Sequence, residues 1–218
     1  MTQFQTDLVT FDSWTLRVHP ATETPPRLLL LIHGWTGDEN SMWVFARNFP
    51  PRYHMIAPRA PHTAPEKGYT WRVPRPGTRG SPTLEDFRPA AEALIRLVDA
   101  YAPTVRVDAA QSDVMGFSQG AAVANALALL YPSRVRRAGI LAGFMPLESE
   151  ALIAQRPLAG KPFFVAHGTQ DELVTVDKAR LSIEALERAG AQVTYCEADV
   201  GHKVSADCLR ALEKFFAD

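Results

Sequence analysis

Five segments of the chain predict buried strands. The segment at residues 28–32 is apolar at every position without alternation, which is typical of a strand buried on both faces of a parallel sheet. Proline, glycine or polar residues bound these segments at residues 28–32, 53–57, 113–117, 138–143 and 162–167. A further strand is predicted at residues 192–197. Residues 3–19 instead alternate apolar and polar positions around a turn, which predicts two strands at a sheet edge.

The intervening segments predict helices. They lie at about residues 41–48, 83–101, 121–130, 147–155, 176–189 and 205–216. Residues 121–130 are small and apolar on nearly every face, as in a buried helix. Strands that alternate with helices predict an α/β fold: a doubly wound, mostly parallel sheet with helices on both faces, in one domain over residues 1–218. The twenty or so residues between Gly143 and Pro162 leave no room for a cap domain.

The strand at 113–117 and the helix that follows are joined by Gly116-Phe117-Ser118-Gln119-Gly120. Gly-x-Ser-x-Gly at a strand-to-helix junction is the pattern of a nucleophile elbow, in which a serine hydroxyl is exposed on a tight turn. We expect side chains at the two glycine positions to collide with the neighbouring strand and helix. A glycine-containing turn before a core helix is the simpler interpretation, because this short motif also arises by chance.

An acid and a histidine follow Ser118 in the order expected for this elbow. Asp171 comes after the strand at 162–167, and His202 comes after the last strand. Parallel strands end at the same edge of a sheet, so these residues are predicted to meet there. His202 would accept the Ser118 proton and Asp171 would orient His202. Glu172 and Asp199 are alternative acids.

A developing oxyanion needs backbone donors. We predict the N–H groups of Gln119 and Trp35, the latter in the loop that follows residues 28–32. We expect His33 to shape this loop and His167 to be structural. Neither predicted donor requires its side chain.

Residues 58–83 are rich in proline and arginine and show little periodicity, which is typical of a functional segment or of a surface loop. We predict that the substrate pocket is built from loops, because no cap domain is present. The candidate substrate-binding residues are Tyr69, Trp71, Arg72, Arg75, Phe144 and Met145. Arginine binds carboxylate and phosphate groups through paired hydrogen bonds, so Arg72 or Arg75 would favour an anionic ester unless all these arginines are solvated.

Net charge, cysteine content and hydropathy indicate the cellular compartment and the classes of binding partner that are expected. The net charge is −1, so no overall field attracts nucleic acid. Cys196 and Cys208 show neither a disulfide framework nor zinc-ligand spacing, which favours a reducing compartment. No signal peptide is recognisable, and the longest clear aliphatic run cannot span a bilayer. We expect a cytoplasmic protein without stable membrane insertion; a homodimer is compatible with the sequence.

The motifs His33-Gly34, Gly116-Phe117-Ser118-Gln119-Gly120, His167-Gly168-x-x-Asp171 and Gly201-His202 resemble the α/β-hydrolase fold. They are most similar to the carboxylesterase/phospholipase family, which includes acyl-protein thioesterases and small bacterial esterases. The resemblance extends from Leu28 to His202. It implies a Ser-Asp-His hydrolase of small carboxylic esters that uses no metal or cofactor. Trp35 and the arginine-rich segment depart from the family's usual pattern.

Several functions fit this resemblance. An esterase for short or medium acyl chains is the leading hypothesis, and a thioesterase or lysophospholipase would use the same residues. Dienelactone hydrolases usually have cysteine at the elbow, so Ser118 argues against them. A non-catalytic binding protein on the same scaffold would typically lack one of the three triad residues, whereas all three are present here.

Overall fold

The computed structural model describes residues 4–73 and 82–217. The strands are β1 (Asp7–Phe11), β2 (Trp14–His19), β3 (Arg27–Ile32), β4 (Tyr53–Pro58), β5 (His62–Thr63), β6 (Tyr69–Thr70), β7 (Ser112–Phe117), β8 (Val135–Leu141), β9 (Pro162–Gly168) and β10 (Gln192–Ala198). The helices are α1 (Trp43–Ala46), α2 (Leu84–Tyr101), α3 (Gln119–Leu130), α4 (Glu150–Ile153), α5 (Val176–Arg188) and α6 (Ala206–Ala217).

Eight of the described strands form one sheet in the order β1-β2-β4-β3-β7-β8-β9-β10. The pairs β1–β2 and β2–β4 are antiparallel, and the other neighbours are parallel. The alternating residues near the N-terminus therefore form an edge hairpin, as predicted. The predicted doubly wound α/β fold is confirmed.

The position of β3 inside the sheet explains why its residues are apolar at every position from Leu28 to Ile32. Leu28, Leu30 and Ile32 point to one face, where they join a core that includes α2, α3 and α5. Leu29 and Leu31 point to the other face, where α1 and α6 contribute. All five side chains are almost completely buried, because helices cover both faces of the sheet.

Parallel pairing aligns β3, β7, β8, β9 and β10 so that their carboxyl ends lie along one edge of the sheet. His33, Ser118, Asp171 and His202 all follow such an end by one to four residues. The topology therefore gathers at one edge residues that are far apart in the sequence.

The fold differs from the sequence predictions in detail. Helices α1 and α4 have four residues each and are shorter than predicted. Turns flank α1, and Leu147, before α4, forms a β-bridge with Thr83. The segment before residue 74, predicted without regular structure, contains a small antiparallel ribbon of β5 and β6. Tyr69 in this ribbon also pairs with Gly37, which anchors the segment to the loop after β3.

Cys196 and Cys208 form a disulfide between β10 and α6, so the prediction of no disulfide is wrong. Their Cα atoms are 5.6 Å apart although the residues are separated by 12 positions. A spacing of this kind does not reveal the contact, because the contact depends on how α6 packs against the sheet. The argument for a reducing compartment that relied on unpaired cysteines therefore fails.

The disulfide closes a loop that includes His202, and its loss should destabilise the fold. The free energy of unfolding of the double variant Cys196→Ala/Cys208→Ala should be lower by about 3 kcal/mol. This is the contribution expected from the chain entropy that a disulfide removes from the unfolded state when it closes a loop of this size. Urea denaturation with and without dithiothreitol measures this difference. Reductant should destabilise the wild type and leave the double variant unaffected; a wild type indifferent to reductant would contradict the prediction.

Candidate active site

Ser118 occupies a strained turn between β7 and α3. Its φ and ψ angles are 54° and −117°, a conformation that L-residues rarely adopt and that is often found at functional sites. A Cβ atom on Gly116 would overlap the carbonyl oxygen of Gly120, and one on Gly120 would overlap that of Ile32 in β3. Both glycines are therefore required for the close approach of β7, α3 and β3, and the turn has the geometry of an elbow.

A chain of hydrogen bonds links the serine to a histidine and a carboxylate. Nε2 of His202 lies 2.9 Å from Oγ of Ser118. Nδ1 of His202 lies 2.7 Å from Oδ2 of Asp171. Asp171 is buried, whereas His202 is partly exposed. The imidazole is therefore placed to exchange a proton with the serine while the carboxylate fixes its orientation.

Backbone groups hold the Asp171 carboxylate in place. Its Oδ1 atom accepts hydrogen bonds from the N–H groups of Leu173 and Val174, each at 2.9 Å. His167 is buried, donates from Nε2 to the Val174 carbonyl at 2.7 Å, and lies 3.4 Å from Oδ2 of Asp171. Oδ2 is consequently directed at His202, and His167 has a supporting position in this turn.

The loop after β3 passes against the elbow. A Cβ atom on Gly34 would lie 3.3 Å from that of Ser118. The ring of His33 donates from Nδ1 to the Gly34 carbonyl at 2.8 Å and accepts at Nε2 from the N–H of Ala60 at 3.0 Å. Burial lowers the pKa of His33 below its ordinary value, which favours the neutral ring that these two hydrogen bonds require. Because the C=O and N–H of one peptide unit point in opposite directions, His33 sets the direction of the Trp35 N–H.

Trp71 and Gln119 connect this loop to the first turn of α3. The indole N–H of Trp71 donates to the His33 carbonyl at 2.8 Å. The side-chain oxygen of Gln119 accepts from the Trp71 backbone N–H at 3.0 Å, and its nitrogen lies 3.0 Å from the Thr70 hydroxyl. These groups are buried. The loop and the elbow are thus held in one hydrogen-bonded unit.

Two clefts formed by described residues meet at Ser118. The first, here called the Arg72 cleft, has a volume of about 530 Å³ and is lined by Glu66, Arg72, Phe87, Phe144, Val174 and Lys178. The second, here called the Phe45 cleft, has a volume of about 510 Å³ and is lined by Ser41, Met42, Phe45, Phe117 and His202. Trp35, Thr36 and Leu173 belong to both. Leu173 has 74% of its surface exposed and lines the region where the two clefts meet.

The model of the Phospholipase/Carboxylesterase family matches residues 15–218, nearly the whole chain. The chain belongs to this family. Membership assigns it to the esterase-type hydrolases, in agreement with the resemblance found in the sequence.

Two relatives illustrate the family. Carboxylesterase SOBER1 of Arabidopsis thaliana is 30% identical over 105 residues, and the alignment covers 47% of this chain and 46% of SOBER1. Acyl-protein thioesterase 1 of Debaryomyces hansenii is 27% identical over 197 residues, covering 80% of this chain and 82% of that protein. The chain thus aligns with about half the length of SOBER1 and with most of the thioesterase.

A solved structure shows the same fold. The carboxylesterase of Bacillus cereus superposes with a TM-score of 0.82 at 22% identity, covering 94% of each chain.

Within the described residues, no helix combines the length and the apolar composition needed to cross a bilayer. The same residues include no cluster of three or more histidine, cysteine or acidic side chains suited to hold a metal ion.

Only some of the residues predicted to bind substrate line the clefts at Ser118. Arg72 and Phe144 line the Arg72 cleft, whereas Arg75 lies outside the described residues. Trp71 is predicted to contact substrate, which is wrong: it is 1% exposed and binds the His33 carbonyl. Tyr69 is not among the residues that line either cleft; its ring centroid lies 4.7 Å from the Arg59 guanidinium, and both residues line a separate groove.

Met145 lies next to the site and outside both clefts. It lines an adjoining groove with Leu147 and Leu181, which reaches the Arg72 cleft at Phe144. Sequence reasoning missed Leu173 and Lys178. The position of Leu173, two residues after the candidate acid, was the one signal in the sequence for that residue, and Lys178 showed none.

Proposed function

We propose that the chain is a serine esterase that hydrolyses carboxylic esters of short to medium acyl chain through an acyl-enzyme on Ser118. The observation that carries the proposal is the hydrogen-bonded chain from Ser118 through His202 to the buried Asp171. A serine hydroxyl is a weak nucleophile until a base removes its proton, and this arrangement supplies the base and its orienting group.

In the first half-reaction, Nε2 of His202 takes the Ser118 proton as Oγ attacks the ester carbonyl carbon. The carbonyl oxygen becomes an oxyanion, for which the backbone N–H groups of Trp35 and Gln119 are the proposed donors. The tetrahedral intermediate collapses, and the bond to the alcohol oxygen breaks. His202 gives its proton to that oxygen, leaving an acyl ester on Ser118.

In the second half-reaction, His202 takes a proton from water, and the hydroxide oxygen attacks the acyl carbon. Collapse of the second intermediate returns the proton to Oγ of Ser118 and releases the carboxylic acid. The Asp171 carboxylate stabilises the imidazolium that forms twice in each cycle. No metal or cofactor takes part in these steps.

A thioesterase is the second candidate. The alignment with acyl-protein thioesterase 1 of Debaryomyces hansenii covers 82% of that protein. A thioester would be cleaved by the same steps. Comparing p-nitrophenyl butyrate with butyryl-CoA decides between the two leaving groups. The esterase proposal requires the higher kcat/KM on the oxygen ester.

We expect kcat/KM to be higher on p-nitrophenyl butyrate than on the palmitate ester. Both clefts are open and of moderate volume, so most methylene groups of a long chain would remain in water and add no transfer free energy. A series of esters of increasing chain length, assayed below their critical micelle concentrations, measures the preference. Faster palmitate hydrolysis would show instead that the tail occupies the groove at Met145 and Leu181.

Trp71→Phe should lower kcat by about ten- to a hundredfold with little change in KM. The variant lacks the N–H that holds the His33 carbonyl, one peptide unit before the Gly34–Trp35 peptide. The loop that carries the Trp35 N–H is then less firmly fixed, and this donor is less well preorganised for a charge that exists only in the transition state. Steady-state kinetics on p-nitrophenyl butyrate measures both constants.

Trp43→Phe is the matched control for this variant. Trp43 is also buried, and its indole N–H donates to the Glu39 carbonyl at 2.8 Å. Both variants should lose stability, about 1–3 kcal/mol for an unsatisfied buried carbonyl. If the two variants lower kcat equally, the effect of Trp71 is on folding alone.

A further inference from the structure

The two clefts at Ser118 differ in their relation to the general acid. Among the described lining residues, His202 belongs to the Phe45 cleft and not to the Arg72 cleft. In the proposed mechanism, His202 must deliver its proton to the oxygen of the leaving alcohol. The alcohol part of an ester therefore leaves through the Phe45 cleft, and the acyl part extends to the other side, into the Arg72 cleft.

The two clefts also differ in charge. The Phe45 cleft is lined by described residues that include no lysine, arginine, aspartate or glutamate. The described residues that line the Arg72 cleft include two cations, Arg72 and Lys178, and one carboxylate, Glu66. The charged side chains thus face the part of the substrate that becomes the acid.

The setting of these cations favours an anionic group. Arg72 is only 6% exposed, and a guanidinium that is largely removed from water interacts more strongly with a carboxylate, which it can bind with two parallel hydrogen bonds. Lys178, near the start of α5, is exposed at the rim of the same cleft. Glu66 lies 3.2 Å from the indole nitrogen of Trp35, at the side where the two clefts meet.

We propose that the Arg72 cleft is an acyl subsite selective for acyl groups that carry a carboxylate. The substrate class is the monoester of a dicarboxylic acid with an uncharged alcohol, which occupies the apolar Phe45 cleft. The proposal rests on the proposed esterase function and adds to it the position of the negative charge. An anionic alcohol, such as the headgroup of a lysophospholipid, would enter the Phe45 cleft, where the described lining residues include no lysine or arginine.

Three esters of matched size test the assignment. Monoethyl glutarate carries its carboxylate on the acyl side, carboxymethyl pentanoate carries it on the alcohol side, and ethyl pentanoate is neutral. For the wild type, the ratio of kcat/KM on monoethyl glutarate to that on ethyl pentanoate should fall as potassium chloride is added, because salt screens the interaction.

Lys178→Glu should lower the ratio of kcat/KM on monoethyl glutarate to that on ethyl pentanoate by about tenfold or more, as expected for reversing a charge next to a carboxylate. The ratio for carboxymethyl pentanoate should change much less. Lys214→Glu makes the same change in net charge at an exposed position in the last turn of α6 and should leave both ratios unchanged. Arg72→Gln, with its fold checked by circular dichroism, should act like Lys178→Glu.

The possible results separate the two proposals. Unchanged ratios in both Lys178→Glu and Arg72→Gln, or a loss confined to carboxymethyl pentanoate, would overturn the acyl-side assignment while leaving the esterase intact. A wild type that hydrolyses neither ethyl pentanoate nor p-nitrophenyl butyrate would overturn the esterase function, and the subsite with it.

Discussion

Replacing Ser118 by alanine is expected to lower kcat on p-nitrophenyl butyrate by a factor on the order of 10⁴ to 10⁶. The variant lacks the oxygen that forms the acyl-enzyme, and only substrate binding and the oxyanion donors remain. The fold should persist, because alanine has the same Cβ atom in the strained turn and the lost hydroxyl bonds to His202 at the surface of the site.

Ser13→Ala, in the exposed turn between β1 and β2, is the control and should retain full activity. A fluorophosphonate probe should label the wild type and the Ser13 variant but not the Ser118 variant. Thermal unfolding of all three proteins checks the fold. Undiminished turnover by pure Ser118→Ala would place the nucleophile elsewhere.

Asp171→Asn should lower kcat by about 10⁴-fold, although the two side chains have the same shape. Oδ1 of Asp171 accepts from two backbone N–H groups, so the asparagine amide must keep its oxygen there and turn its NH₂ group toward His202. Nδ1 of His202 then has to accept, which leaves the proton on Nε2. In that tautomer the ring cannot take a proton from Ser118.

The neighbouring acids serve as controls for this substitution. Glu172 is exposed, and Asp199 accepts a hydrogen bond from the Thr169 hydroxyl at 3.2 Å. Glu172→Gln and Asp199→Asn should each keep kcat within about twofold, because surface changes away from the reacting groups have small effects. A large loss in either variant, with Asp171→Asn active, would reassign the orienting carboxylate.

The residues gathered around Ser118 were predictable to different degrees. The elbow was accessible because its requirement is local: two glycines must stand on either side of the serine for the turn to pass close to β3. Asp171 and His202 were accessible because each follows a recognisable strand, and parallel strands end at one edge. Their hydrogen-bonding distances depend on loop conformation, which periodicity does not describe.

The errors concern side chains whose neighbours come from distant segments. Trp71 is an aromatic residue of the kind that often lines pockets. It follows the ribbon of β5 and β6, and its buried indole N–H donates to the His33 carbonyl instead. Cys196 and Cys208 meet only because α6 packs beside β10. Lys178 carries no local motif and becomes relevant because the start of α5 borders the Arg72 cleft.

By itself, the sequence determined the succession of strands and helices, the buried character of β3 and the turn at Ser118. These features depend on the period of apolar side chains and on steric limits within a few residues. Only the tertiary structure decided which groups share the space around Ser118, and on which side of it His202 and the cations lie. Such contacts depend on the order of strands in the sheet and on the packing of helices against it, and both are set by the whole core at once.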